Sequence, residues 1–171
     1  MPIVEIRKDP KALTMTVVAQ FAAPVARVWA AYADPRQLER FWGPPQWPAT
    51  FTRHDFAVGG RSEYHMTGPD GQKSSGFWEF LRIDEPRGFE VKDGFLGPDG
   101  QQAPDMPTMQ MRFTFEPHAD GTRMVTVTTF PSLACGPPTL IRASSSASGG
   151  RRNGRPGSSG TTSLSAAAPN T

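Results

Sequence analysis

Apolar and polar positions alternate from Leu13 to Phe21. Leu13, Met15, Val17, Ala19 and Phe21 fall on one side, and Thr14, Thr16, Val18 and Gln20 on the other. A period of two is that of a strand with one buried face. Pro24 then stands where a first helical position tolerates it, and Val25, Val28, Trp29 and Tyr32 follow at i, i+3, i+4 and i+7, the spacing of an amphipathic helix. Asp34 caps a second, short helix with Pro35 in its first position and Leu38, Phe41 and Trp42 on its apolar face. From Thr50 the period returns to two. Strands are predicted over 49–57, 61–68, 74–83, 88–96, 107–117 and 122–130, joined by turn-forming clusters such as Pro69-Asp70-Gly71, Pro98-Asp99-Gly100 and Asp120-Gly121. Strands that follow one another through tight turns pair antiparallel. The predicted architecture is α+β: one strand, two short helices, then a six-stranded meander, seven strands in all. The missing βαβ alternation argues against a doubly wound fold.

This pattern stops near residue 131. All the aromatic residues precede Pro131, and from Arg142 onward Leu164 is the only large apolar side chain. Such a segment buries too little apolar surface to offset its chain entropy, so residues 134–171 are expected to be a low-complexity, disordered tail. Pro137 and Pro138 also oppose a long helix there. The tail changes the meaning of the net charge of +2: it holds four arginines (142, 151, 152 and 155) and no acidic residue. The body is left with 14 of the 18 basic residues against all 16 acidic ones, a net of −2. A nucleic-acid partner is therefore not expected. No apolar run is long enough to cross a membrane, the lone Cys135 allows no internal disulfide, and a cytoplasmic protein is the default.

Two short helices cannot cover the whole apolar face of a long curved sheet. The vacancy predicts a pocket for an apolar small molecule, walled by Trp42, Phe56, Tyr64, Met66, Trp78, Phe80, Phe95, Met109, Met111 and Phe113, with Phe89 nearby and Trp47 toward the mouth. The plainer alternative is that these side chains only fill a core. Strand 74–83 is ambiguous, because Phe77 and Leu81 make its other face apolar as well. His54, His65 and His118 lack metal-ligand spacing, and His65 and Glu63 should point away from a pocket lined by Tyr64 and Met66. No metal and no cofactor is expected. No catalytic set is recognisable. Glu79, flanked by apolar residues, is the one weak candidate for an acid or base, against a plain reading in which it pairs with Arg82 or Arg112. Arg61, Arg82 and Arg112 could orient an anionic head group, though a solvated surface is the plainer reading of each. No phosphate-binding Gly-Lys-Ser/Thr follows Gly59-Gly60, and Ser132 and Cys135 have no histidine near them in sequence.

The segment FAAPVARVWAAYADPRQLERFWGP, with Phe21, Ala23-Pro24, Val28-Trp29, Asp34-Pro35 and Trp42-Gly43-Pro44, resembles the opening of domains similar to the C-terminal domain of the activator of Hsp90 ATPase. These belong to the SRPBCC, or Bet v1/START-like, helix-grip superfamily. VGGRSEYHMTGPDG, GFWEFLRIDEPRGFEVKDGF, GPDGQQAPDMP and GTRMVTVTTFPS look like successive strands of the same family, so the resemblance spans residues 10–133. It implies a seven-stranded antiparallel sheet gripping a long C-terminal helix, with a hydrophobic cavity between them. The chain departs from the pattern after Leu133, where ACGPPTLIRASSSASGG stands in place of the amphipathic helix, as a shifted reading frame of a GC-rich gene would read. The resemblance implies binding of a lipid or polyketide-like molecule. Its alternatives are a cyclase, dehydratase or hydrolase acting in the same pocket, or an Hsp90-activating co-chaperone. Self-association through the uncovered sheet face is a further expected consequence.

Overall fold

Residues 3–132 are described by the structure, a computed structural model. The first alternating segment forms β2 (Thr14–Phe21), preceded by β1 (Ile3–Asp9) and followed by helices α1 (Val25–Ala33) and α2 (Pro35–Leu38). Six further strands complete the chain: β3 (Ala49–His54), β4 (Arg61–Thr67), β5 (Lys73–Asp84), β6 (Gly88–Leu96), β7 (Met109–His118) and β8 (Gly121–Thr129). They form one antiparallel sheet in the order β1-β2-β8-β7-β6-β5-β4-β3. The meander from β3 to β8 is the predicted one. Its last strand returns to pair with β2, Phe21 opposite Thr122 and Met15 opposite Thr128.

Eight strands replace the expected seven. β1 lies along the outer edge of β2 and is exposed over nearly its whole length, Val4 and Ile6 included, so no burial pattern marks it in the sequence. The second helix is also shorter than predicted. Asp34 accepts a hydrogen bond from the Arg36 N–H at 2.9 Å, and Pro35 opens the helix as expected. Phe41 and Trp42 lie on the turns that follow, their N–H groups bonded back to the Leu38 carbonyl at 3.2 and 2.9 Å. The expected tail from residue 134, Cys135 within it and the place of the expected C-terminal helix lie outside the described residues. Among the described residues no helix is long and apolar enough to cross a membrane.

Both helices pack on one face of the sheet, and His54 ties the end of α1 to it. Its Nε2 lies 3.1 Å from the Tyr32 carbonyl at the end of α1, and its Nδ1 lies 2.8 Å from the Ser62 hydroxyl on β4. A carbonyl only accepts, so Nε2 carries the proton and Nδ1 accepts from Ser62. Burial holds the imidazole pKa below its usual value. The unfolded chain then takes up a proton first as the pH falls, so stability is full above about pH 6.5 and declines below it. Urea denaturation at pH 7.5 and 5.5 should show a loss at the lower pH that is smaller in His54→Gln; equal losses in the two proteins would reject the assignment.

Candidate functional site

The strand register assigns side chains to the helix-covered face row by row. Met15, Val17, Ala19 and Phe21 of β2 stand beside Thr128, Thr126, Met124 and Thr122 of β8. Phe89, Val91 and Asp93 of β6 stand beside Phe113, Met111 and Met109 of β7. Across β5 come Trp78 and Phe80, and across β4 Ser62, Tyr64 and Met66.

The two ends of this face differ. At one end α1 lowers Trp29 and Tyr32 into the sheet. Trp29 meets Phe56, Phe89 and Phe115 edge-on at 5.4–6.1 Å. Tyr32 contacts Phe41, Phe89, Phe113 and Phe115, and its hydroxyl donates to the Met124 sulfur at 3.1 Å. Phe89 stacks on Phe113 at 4.5 Å. Of the predicted pocket wall, Trp78, Phe80 and Phe113 are all buried in this interlocked cluster, and Tyr64 belongs to it too. Trp42, Phe56, Met66 and Met111 pack on its border, partly buried.

The other end holds a second cluster of Met15, Val17, Met109 and Phe130, with Ile3 and Phe95 against it. Phe95 and Met109 are thus brought together, apart from the other predicted wall residues. Among the described residues no helix side chain belongs to this cluster. Ile6, opposite Val17, is 44% exposed at its edge. Buried Thr126 and Thr128 bring two hydroxyls to the same end, with no hydrogen bond among the described residues.

Between the two ends lies Asp93, only 6% exposed. Its Oδ1 accepts hydrogen bonds from the Trp78 Nε1–H at 2.9 Å and the Tyr64 hydroxyl at 3.2 Å. Gly76 makes the second bond possible: a Cβ there would lie 2.8 Å from the Tyr64 hydroxyl, so only a glycine lets the phenol cross β5. The Asp93 Oδ2 accepts nothing among the described residues. Burial pushes the carboxyl up from 3.8 to about 7, against the pull of the two donors. Burial, then the neighbouring Asp93, pushes the Tyr64 hydroxyl well above its usual value. The Trp42 Nε1–H is buried beside Tyr64 and makes no hydrogen bond of acceptable geometry. The arrangement offers an apolar surface with a few convergent polar groups, one of them a carboxyl poised near neutrality.

The sequence offers Glu79 as its one weak candidate for an acid or base, beside the plainer reading of a paired or exposed side chain. Glu79 lies on the opposite face of β5 from Trp78 and Phe80, half-exposed, with Lys92 Nζ at 3.5 Å. Neither Arg82 nor Arg112 is its partner; Arg112 pairs with Glu90 at 2.8 Å. The signal for Asp93 was the alternation Phe89, Val91, Asp93, Phe95, in which a carboxylate takes an apolar turn. His65 and Glu63 face outward as expected, Glu63 pairing with Arg61 at 2.9 Å. Trp47 packs over Gly68. Among the described residues no group of His, Cys, Asp and Glu is arranged to hold a metal ion.

Two surface hollows lie away from Asp93. One, of about 310 Å³, is bordered by Arg82, Asp84, Arg87, Glu90 and Arg112. Its Arg87 and Arg112 are already paired, with Asp84 and Glu90. The other, of about 460 Å³, runs along Arg7–Lys11 with Thr14 and Thr16. The first also carries Phe89 and Phe113 on its lining and an Arg82 with no ion pair among the described residues. The face around Asp93 is the stronger candidate because it adds a buried carboxyl with one oxygen unused.

Comparison with known proteins follows the same outline. A family model described as "Activator of Hsp90 ATPase homolog 1-like protein" matches residues 22–138. No curated protein matches. Among solved structures, protein Ms6760 from Mycobacterium smegmatis is 44% identical, with a TM-score of 0.75, covering 85% of this chain and 91% of its own. A protein from Arthrobacter aurescens is 43% identical, with a TM-score of 0.77, covering 83% and 82%. A protein from Silicibacter pomeroyi described as AHSA1, 18% identical with a TM-score of 0.60, covers 76% and 87% and shares the fold.

Proposed function

Because the chain belongs to the activator of Hsp90 ATPase homolog 1-like family, we propose that it uses that helix-grip fold to hold an apolar small molecule, lipid or polyketide-like. The molecule sits at the methionine and threonine end of the sheet face. The observation that carries this reading is the second cluster: Met15, Val17, Met109 and Phe95 are gathered with no helix of the described chain upon them. Asp93, Thr126 and Thr128 stand among them with hydrogen-bonding capacity unspent. The aromatic end fits a guest less well, because the rings of α1 already fill it. In this reading Met109, Met111 and Phe95 form the wall. Trp42, Tyr64 and Met66 border it, and Trp78, Phe80, Phe113 and Phe56 support it from behind.

Thermal unfolding and tryptophan fluorescence of the full chain, measured against a panel of lipids and polyketide-like aromatics, test this. A guest present at 100 times its Kd should add about 2.7 kcal/mol of stability. It should also change the emission of Trp78, which is bonded to Asp93. A panel in which nothing raises the Tm or alters the emission would remove the reading.

A further inference from the structure

Asp93 is a buried carboxyl whose described hydrogen bonds use only one of its two oxygens. The groups that face it are few. β4 contributes the Tyr64 hydroxyl, β5 the Trp78 indole and β7 Met109, its cross-strand neighbour. Lys92 and Glu79, the nearest charged residues along β6 and β5, pair with each other on the opposite face. Tyr64 is thus the one titratable neighbour on this side among the described residues, and its raised pKa keeps it neutral. A carboxylate with no cation beside it and little water is disfavoured, so the acid form persists to about neutral pH. With Oδ1 accepting from Trp78 and Tyr64, the acid proton belongs on Oδ2. The other unspent groups on this side are the buried Trp42 Nε1–H, a donor only, and the Thr126 and Thr128 hydroxyls, which donate or accept.

Resting on the ligand-holding reading, we infer that Asp93 is the polar anchor of the site, donating from Oδ2 to an uncharged oxygen acceptor (a ketone, ester, amide or alcohol oxygen) on the bound molecule. An ammonium-bearing guest is the competing chemistry. It would need the ionised carboxylate and would leave the Trp42 N–H without an acceptor. A cation-free surface whose obligate donors are the Asp93 acid proton and the Trp42 N–H, with hydroxyls that serve either way, matches an acceptor-bearing guest instead. The selection follows from the wall: a guest that offers only hydrocarbon leaves the Oδ2 proton unpaired, and an anionic guest brings a second charge into a surface that already disfavours one.

The test uses three probes of one shape on the full chain: 2-acetylnaphthalene, 2-ethylnaphthalene and 1-(2-naphthyl)ethylamine. Titrations are followed by tryptophan fluorescence at pH 6 and pH 9. At pH 6 the ketone should bind about tenfold more tightly than the hydrocarbon. At pH 9, with Asp93 ionised, that advantage should vanish. In Asp93→Asn, whose Nδ2 still donates, it should persist at both pH values, which a purely structural role for Asp93 does not predict. Equal binding of ketone and hydrocarbon at pH 6 would overturn the anchor and leave the ligand-holding reading standing. So would a preference for the amine that grows toward pH 9, or a ketone advantage in the wild type that ignores pH. Failure of all three probes to bind would remove the ligand-holding reading itself, and the anchor with it.

Discussion

Asp93→Asn should be more stable than the wild-type protein at pH 8.5, by up to roughly 4 kcal/mol, and the gap should close toward pH 4. The sign is opposite to that of a salt-bridged aspartate. Burial raises the folded-state pKa to about 7, above the unfolded value near 3.8. Below about pH 4 both states are protonated and the carboxyl carries no penalty. Between pH 4 and pH 7 the unfolded chain ionises while the folded one holds its proton, so each step upward in pH favours unfolding. Above pH 7 the folded carboxyl ionises as well and the penalty stops growing. Asparagine keeps an oxygen to accept from Trp78 and Tyr64 and has no charge to bury. Urea denaturation of both proteins from pH 4.5 to 8.5 measures the difference directly, since other titrating groups cancel between them. A difference that stays flat over that range would show that Asp93 is ionised and well satisfied throughout.

The alternation that located β2 to β8 in the sequence is the imprint of a sheet with one buried face, and it failed where that cause was absent. β1 pairs with β2 along an open edge, so Val4 and Ile6 stay exposed and the strand carries no period to read. β5 was ambiguous because both its faces are buried in part. Phe77 lies under the Arg61 guanidinium, 4.3 Å from the ring centre, and against Gly94, contacts that only the folded sheet brings together. Glu79 stands out in the sequence because it has tryptophan and phenylalanine on either side in the chain, and Asp93 does not. In a strand those neighbours point the other way, and the residues that bury a carboxyl are found two positions along and on the adjacent strands. The aromatic wall was legible as one face of the sheet. Its division into an end filled by the rings of α1 and an end of buried methionines and threonines with no helix side chain among them depends on where α1 places Trp29 and Tyr32, which no local pattern specifies.

That division makes the second large prediction. Phe113→Ala should cost about 3–5 kcal/mol of stability, enough to leave a domain of ordinary stability partly unfolded. The side chain is 2% exposed, stacked on Phe89 and packed against Tyr32 at 5.6 Å and Trp78 at 6.0 Å, so its removal opens a cavity among rings held from three elements. Met111→Ala, two residues away on the same face but only half-buried, should cost roughly 1–2 kcal/mol, since its surroundings are less completely packed. The order reverses for binding. Losing the Met111 thioether removes apolar surface a guest would touch, and affinity should fall severalfold in a variant that remains folded. Thermal unfolding of both variants, with the binding titration repeated on Met111→Ala, separates the two ends of the face. If Phe113→Ala unfolded within 1 kcal/mol of the wild type, the rings would be loosely held, and the aromatic end would have room for a guest after all. If Met111→Ala proved the costlier of the two, the methionine end would be core, and an apolar guest would have nowhere on this face to sit.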